Sequence, residues 1–312
     1  MIFRDIAHTR TKPLIKTFLS ASAAVSLALI TTLPSCGSNT SANGKRTVEI
    51  QNLGSDTLLE VAGAFAEMYH DENPEIAISV SGGGSGVGIS SMISGDVDIA
   101  NSSRPMKDSE VAAAKKLGND PVQHIVGFDG IAIFAHKDNP IKSVTLAQLK
   151  AMFGEGGKIE SWSDLGIDLG SEAENNIALG SRQNSSGTYE CFRNSVLGGK
   201  KGRFKQRCNN LNGSKDVVEF CSKTKGAIGY SGLAYATDEV KVVPVSMDED
   251  QLPVMPTIKT VLDKSYAIWR PLYMYTNGEP QNEIKAYLDW IKSDPGQALL
   301  LTKGYVPLRS PK

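Results

Sequence analysis

The sequence predicts an α/β protein with largely parallel sheets. Short β-branched runs alternate with amphipathic helical stretches along most of its 312 residues. Several of these runs end in a hydroxyl- or glycine-rich loop that opens directly into a helix, most plainly at residues 81–95. The length allows two domains with their own cores. No fixed-period repeat is apparent.

Residues 47–51 read as a strand, with Val48 and Ile50 alternating, and residues 58–70 as a helix. Leu58, Leu59, Ala62, Phe65, Ala66 and Tyr69 share one face of that helix. The junction between them is Gly54-Ser-Asp-Thr57, where Ser55 or Asp56 is either a helix N-cap or a ligand donor. Pro74 ends this unit, and residues 76–80 begin the next strand. Its loop, Ser81-Gly-Gly-Gly-Ser85, lets backbone approach a ligand closely, and Ser85 adds a hydroxyl donor without charge. Helical spacing follows at Ile89, Met92 and Ile93, so free N–H groups of a helix start face the loop. Alone, such a loop is as readily a flexible turn as an anion site.

Residues 97–100 read as a short strand, Ser102-Ser-Arg-Pro105 as another junction, and 107–117 as a helix. Residues 122–126 and 131–136 read as two strands flanking Gly127-Phe-Asp129-Gly130, which makes Asp129 either a turn residue or a placed acceptor. A helix at 146–153 and a packed loop at Trp162-Ser-Asp-Leu165 follow. The strand at 177–180 leads through Ser181-Arg182-Gln-Asn-Ser185-Ser186-Gly187-Thr188 into a helix at 189–196. This donor loop adds an arginine to its hydroxyls. Residues 198–208 are a basic surface excursion, 216–222 a helix, 227–231 a buried strand, and 240–245 a strand that Pro244 places at an edge or end. A short helix near 257–262, an aromatic strand region at 266–276 containing Arg270-Pro271, and helices at 281–291 and 295–302 complete the chain before Tyr305-Val-Pro-Leu308.

The first residues are basic up to Lys16, then apolar from Phe18 to Leu33, and end in Leu33-Pro-Ser-Cys36. This is a secretory leader at 1–35 followed by a Ser/Asn/Gly-rich tether at 36–46. The alternative is an uncleaved anchor, for which the apolar run is near the lower limit. Removing residues 1–35 takes away Arg4, Arg10, Lys12, Lys16 and Asp5. It leaves 29 basic and 33 acidic groups, a net of −4. That balance supplies no global field for nucleic acid, so any bound anion is held by local donors. Export permits disulfides. After Cys36, Cys208 with Cys221 closes a short loop and is the expected pair, with Cys191–Cys208 as the alternative. His70, His124 and His136 show no metal spacing, and no cofactor is expected.

Enzyme signatures fail residue by residue. Each Gly-Lys lacks the glycine five positions earlier that a Walker A loop needs. The dinucleotide pattern meets Val87, Ile89 and Ser91 where glycine is required. A nucleophile elbow at Ser85 fails at Val87. What remains is a set of neutral hydroxyl-rich junctions, a guanidinium and one or two acids, suited to a small dehydrated oxyanion.

Taken in order, Gly54-Ser-Asp-Thr57, Gly82-Gly-Gly-Ser-Gly86, Val97-Asp-Ile, Ser103-Arg-Pro105 and Asp129-Gly-Ile resemble one known family. So do Ser186-Gly-Thr188, Gly226-Ala-Ile-Gly-Tyr230, Arg270-Pro-Leu272 and Gly304-Tyr-Val-Pro-Leu308. That family is the PstS-like phosphate-binding components of bacterial phosphate ABC transporters, which are type II periplasmic binding proteins. The resemblance spans most of residues 47–308. It implies two lobes, 47–127 with 246–312 and 128–245, each a mixed, mainly parallel sheet flanked by helices and joined by a two-strand hinge. It also implies a non-enzymatic, monomeric receptor outside the cytoplasm that delivers inorganic phosphate to permease subunits. Sulfate, molybdate or a phosphonate is the alternative cargo.

By position, the resemblance puts Ser55, Thr57 and the Leu58 N–H in the first phosphate loop and Ser85 in the second. Arg182, Ser186, Gly187 and Thr188 come from the opposite lobe. Ser103 stands where some members carry an acid that accepts the phosphate proton. Asp129 is expected to take that role, with Arg104 offsetting its charge. The placing of Cys36 resembles a lipobox and implies attachment to a membrane through lipid, although Pro34 departs from the usual residue there.

Overall fold

Parallel pairing of the first two strands sets the architecture. In the computed structural model, which describes residues 47–309, β1 (Val48–Gly54) pairs in register with β2 (Ile76–Ser81) across α1 (Leu59–Glu72). Val61, Ala62, Phe65 and Tyr69 on α1 are buried, as the helical spacing requires. The expected leader, Cys36 and the tether lie outside the described residues.

The chain continues through α2 (Ser85–Ser94), β3 (Ile99–Ser102) and α3 (Asp108–Lys116) into the long strand β4 (Pro121–His136). Next come β5 (Val144–Thr145), α4 (Leu146–Phe153), α5 (Glu172–Asn175), β6 (Ala178–Arg182) and α6 (Gly187–Val196). These are followed by β7 (Asn209–Leu211), α7 (Ser214–Lys223), β8 (Ala227–Gly232), β9 (Val240–Val243) and β10 (Val245–Ser246). The last elements are α8 (Ile258–Leu262), β11 (Trp269–Asn277), α9 (Asn282–Lys292) and α10 (Asp294–Thr302).

Nine strands form one mixed sheet in the order β2-β1-β3-β11-β4-β8-β6-β7, with β9 also on β4, while β5 and β10 make a small parallel pair. Pairs β1–β2, β1–β3, β6–β7 and β6–β8 are parallel; those made by β4 and β11 are antiparallel. The fold is thus α/β with mixed pairing, as expected.

Strand β4 joins the two halves. Its first part, to Gly130, pairs with β11, and its second part, from Ile131, pairs with β8 and β9. The sequence reading placed two strands and a glycine break here. The structure has one strand, because Gly127 and Gly130 provide close packing rather than a turn. A Cβ at Gly127 would lie 2.8 Å from a Leu300 methyl, and one at Gly130 would lie 2.8 Å from a Val261 methyl.

Alternation along β4 and β11 sorts the core by face. Ala132, Phe134, Leu272 and Met274 join one cluster with α1, α7, α9 and α10. On the other face, Tyr273 and Tyr275 pack with Ile89 and Met92 of α2, whereas Ile131, Ile133 and Ala135 pack with Phe153, Phe192 and Tyr230. Val261, Tyr266 and Ile268 belong to this last cluster. Residues 258–268 therefore pack on the same face as Phe153, Phe192 and Tyr230.

Sorting by face also corrects the expected disulfide. Cys191, Cys208 and Cys221 are all free thiols. Cys221, on α7, lies in the cluster with Phe134, whereas Cys208 lies in the cluster on the opposite face. The sheet stands between them, so the Cys208–Cys221 bridge does not form; Cys191 and Cys208 share a cluster, and both are free thiols.

Candidate functional site

Three helix starts and one strand end converge at the waist of the sheet. The loop after β1 supplies Ser55 and Thr57, the start of α2 supplies Ser85, the end of β3 leads to Ser103, and the start of α6 supplies Gly187 and Thr188. Gly84 caps α2 at φ 94°, a conformation that favours glycine. Ser186 caps α6, its hydroxyl accepting from the N–H groups of Thr188 and Tyr189. Expected as a ligand, Ser186 is thus engaged in holding its own helix start.

The hydroxyls lie close together and out of solvent. Ser55 Oγ donates to Ser103 Oγ at 3.0 Å, Ser85 Oγ is 3.2 Å from Ser103 Oγ, and Thr57 Oγ1 is 3.0 Å from Thr188 Oγ1. Ser55, Thr57, Ser85, Ser103 and Thr188 are each 2% exposed or less. Gly187 fits only because it has no side chain: a Cβ would stand 2.5 Å from both Ser85 Oγ and Ser103 Oγ. The Leu58 N–H donates to the Ser55 carbonyl, closing the turn into α1.

Beneath the hydroxyls is a buried ion pair. Arg270 and Asp129 are opposite one another in the antiparallel β4–β11 register. Arg270 Nη2 donates to Asp129 Oδ2 at 2.7 Å, and Nε donates to the same oxygen at 3.1 Å. Nη2 also reaches Thr57 Oγ1 at 3.0 Å and Thr188 Oγ1 at 2.9 Å. Burial raises the Asp129 carboxyl's pKa, and the charge and hydrogen bonds of Arg270 oppose that rise. Arg270 was absent from the expected site. Its motif, Arg270-Pro-Leu272, carried no sign of a partner 141 residues away.

The two arginines of the expected set have carboxylate partners. Arg182 is buried, with Nη2 donating to Asp56 Oδ2 at 2.9 Å and to the Asn212 carbonyl, and Nη1 donating to Ser214 Oγ. Asp56 Oδ1 accepts from the Gly83 N–H, so this pair ties the β1–α1 loop, the glycine loop and the second lobe together. Arg104 makes a forked contact to Glu110 and reaches Glu190 at 3.2 Å. It does not offset Asp129; Arg270 does. Lys107 joins Glu190 at 2.9 Å, which adds a further ionic contact between the lobes. Backbone also meets across the cleft, where the Gly86 N–H donates to the Ser185 carbonyl at 2.8 Å. Tyr235 and Tyr305 donate to the Asp56 and Thr57 carbonyls and fix the first loop from below.

Among the described residues no cluster of His, Cys, Asp and Glu is arranged to hold a metal ion. Such a site can bind and orient a small acceptor-rich group. It offers directed donors, a compensated charge and little room.

A two-lobed sheet with donors gathered at its crossing defines a solute-binding domain, and residues 39–295 match the model of the PBP superfamily domain. Phosphate-binding protein PstS of Pseudomonas aeruginosa is 34% identical over 270 residues, covering 83% of each chain. Its namesake in Bacillus subtilis is 34% identical over 260 residues, covering 83% of this chain and 80% of that protein. The chain belongs to the family of phosphate-binding proteins PstS. Among solved structures, a phosphate ABC transporter substrate-binding protein with bound phosphate from Clostridium perfringens superposes with a TM-score of 0.74. It is 29% identical and covers 84% of this chain and 100% of that one. An ABC-type phosphate transport receptor from Vibrio cholerae gives a TM-score of 0.65 at 25% identity, covering 82% and 99%.

Proposed function

We propose that this chain is a non-enzymatic receptor that takes inorganic phosphate between its lobes and passes it to an ABC permease outside the cytoplasm. One observation carries the reading: the buried hydroxyls of Ser55 and Ser85 both reach Ser103, and Thr57 meets Thr188 from the opposite lobe, so four separated segments gather hydroxyls out of solvent. Hydroxyls so placed have little to do for stability alone, since each is held from water by others of its kind. An oxyanion among them accepts the protons they otherwise share. Ser55, Thr57, Ser85, Ser103 and Thr188 are the hydroxyl donors of this reading, and the α1, α2 and α6 starts add N–H groups and positive dipole ends.

The lobes open and close about β4 and the return into β11, a hinge motion that lets a buried ion enter and leave. The Asp56–Arg182 and Glu190–Arg104 contacts form on closure and break on opening. Cys36 carries the lipid that holds this monomeric receptor near its permease. No described helix is long and apolar enough to cross a membrane.

Titration calorimetry of the purified protein with phosphate, sulfate and molybdate tests the reading. One phosphate per chain, with sulfate and molybdate much weaker, supports it. Preference for either other anion, or heat from none, contradicts it.

A further inference from the structure

The guanidinium of Arg270 does more than neutralise Asp129. Its Nη2 gives one hydrogen to Asp129 Oδ2 and shares the other between Thr57 Oγ1 and Thr188 Oγ1, one hydroxyl from each lobe, while Nη1 donates to the Ser103 carbonyl at 3.3 Å. Arginine carries only donors, so each threonine oxygen facing it must act as acceptor. The hydroxyl protons are thereby turned away from Arg270. Asp129, directly across the strand pair, takes the Nε hydrogen and one of the two Nη2 hydrogens on Oδ2 and fixes the plane of the fork.

We propose that Arg270 is a positioning residue that sets the Thr57 and Thr188 hydroxyls as donors toward the bound anion, and that Asp129 anchors Arg270 rather than accepting a proton from the ligand. The inference rests on the oxyanion-receptor reading and adds the residues that determine donor polarity. It reverses the expected role of Asp129, which would otherwise discriminate phosphate from sulfate by taking the phosphate proton. A carboxylate oxygen already holding two guanidinium N–H groups is poorly placed for that task. Lysine in place of Arg270 keeps the charge but loses the fork that reaches both threonines and Asp129 at once.

The experiment is calorimetric titration of the full chain with phosphate and with sulfate, in wild type and in R270K, R270M, D129N, T57V and the R270M/T57V pair. Wild-type phosphate binding stands apart as the check on the receptor reading. If wild type takes sulfate instead, the same variants are read on sulfate. R270M is expected to weaken the anion roughly 100-fold and R270K less, about tenfold, because part of the charge-assisted donation survives. T57V is expected to cost less in the R270M background than alone, since the arginine acts through that hydroxyl. D129N is expected to weaken phosphate and sulfate by the same factor, leaving their ratio unchanged. Additive R270M and T57V effects, or a D129N protein whose sulfate affinity rises relative to phosphate, would overturn the proposal. Should R270M fail to fold, R270K and D129N still decide it.

Discussion

Thr57 Oγ1 and Thr188 Oγ1 lie 3.0 Å apart although 131 positions separate the residues in the chain. One stands at the start of α1 and the other in the first turn of α6, so their contact exists only while the lobes are together. Replacing either with valine keeps the shape and removes the hydroxyl. Each change is expected to weaken phosphate by about tenfold or more, the loss of a hydrogen bond to a charged group. Calorimetric titration measures it, and unchanged affinity in both variants would remove the threonines from the site.

Gly187 sets how closely the lobes approach. Its missing Cβ would sit 2.5 Å from Ser85 Oγ and Ser103 Oγ, which belong to the other lobe. Gly187→Ala is therefore expected to hold the cleft ajar, costing about 1–3 kcal/mol of closure by overpacking. Phosphate affinity falls accordingly, and solution scattering with saturating phosphate shows a larger radius of gyration than wild type. A variant as compact and as tight-binding as wild type would show that the cleft closes without this contact.

Buried thiols behave differently from a disulfide. Burial pushes Cys208 up to about 11 and Cys221 up to about 12. In the folded protein at pH 8 both are expected to resist alkylation, and both react once the protein is denatured without reductant. Peptide mapping by mass spectrometry reads each cysteine separately. A linked Cys208–Cys221 peptide, or rapid native labelling, would contradict the placement of these residues on opposite faces.

Glu110 gives stability a pH dependence of known sign. Burial alone would raise its pKa, but hydrogen bonds from Arg104 and the Lys107 N–H, with their charges, leave it lowered. A carboxyl with a depressed folded value stabilises the fold above its unfolded value, near 4.5. That contribution is lost as pH falls through the folded value. Wild type is expected to melt higher than E110Q at pH 7, with the gap narrowing below pH 4.5. A gap that does not change with pH would remove the ion pair from the account.

Local chemistry made much of this fold legible. Alternating periods located the strands and helices, and the loops at Ser55, Ser85 and Thr188 were visible because hydroxyls and glycines gather at helix starts. What sequence could not show was pairing at long range. Gly127 and Gly130 look like a turn when read locally, and only the approach of Leu300 and Val261 explains them. Arg270 appears as one charge in an aromatic strand until β11 lies antiparallel to β4 and brings Asp129 opposite it. Arg182 was expected in the phosphate loop of the opposite lobe by resemblance, and Arg104 beside Asp129. In the structure Arg182 pairs with Asp56, and Arg104 with Glu110 and Glu190.

The receptor account stands on a single tetrahedral ion held between the lobes, and a crystal structure of the protein grown with phosphate tests it most directly. Density for one phosphate within hydrogen-bond distance of Ser55, Thr57, Ser85 and Thr188 is the expected result. Phosphate found only on the outer surface, with these hydroxyls still bonded to one another, would contradict it.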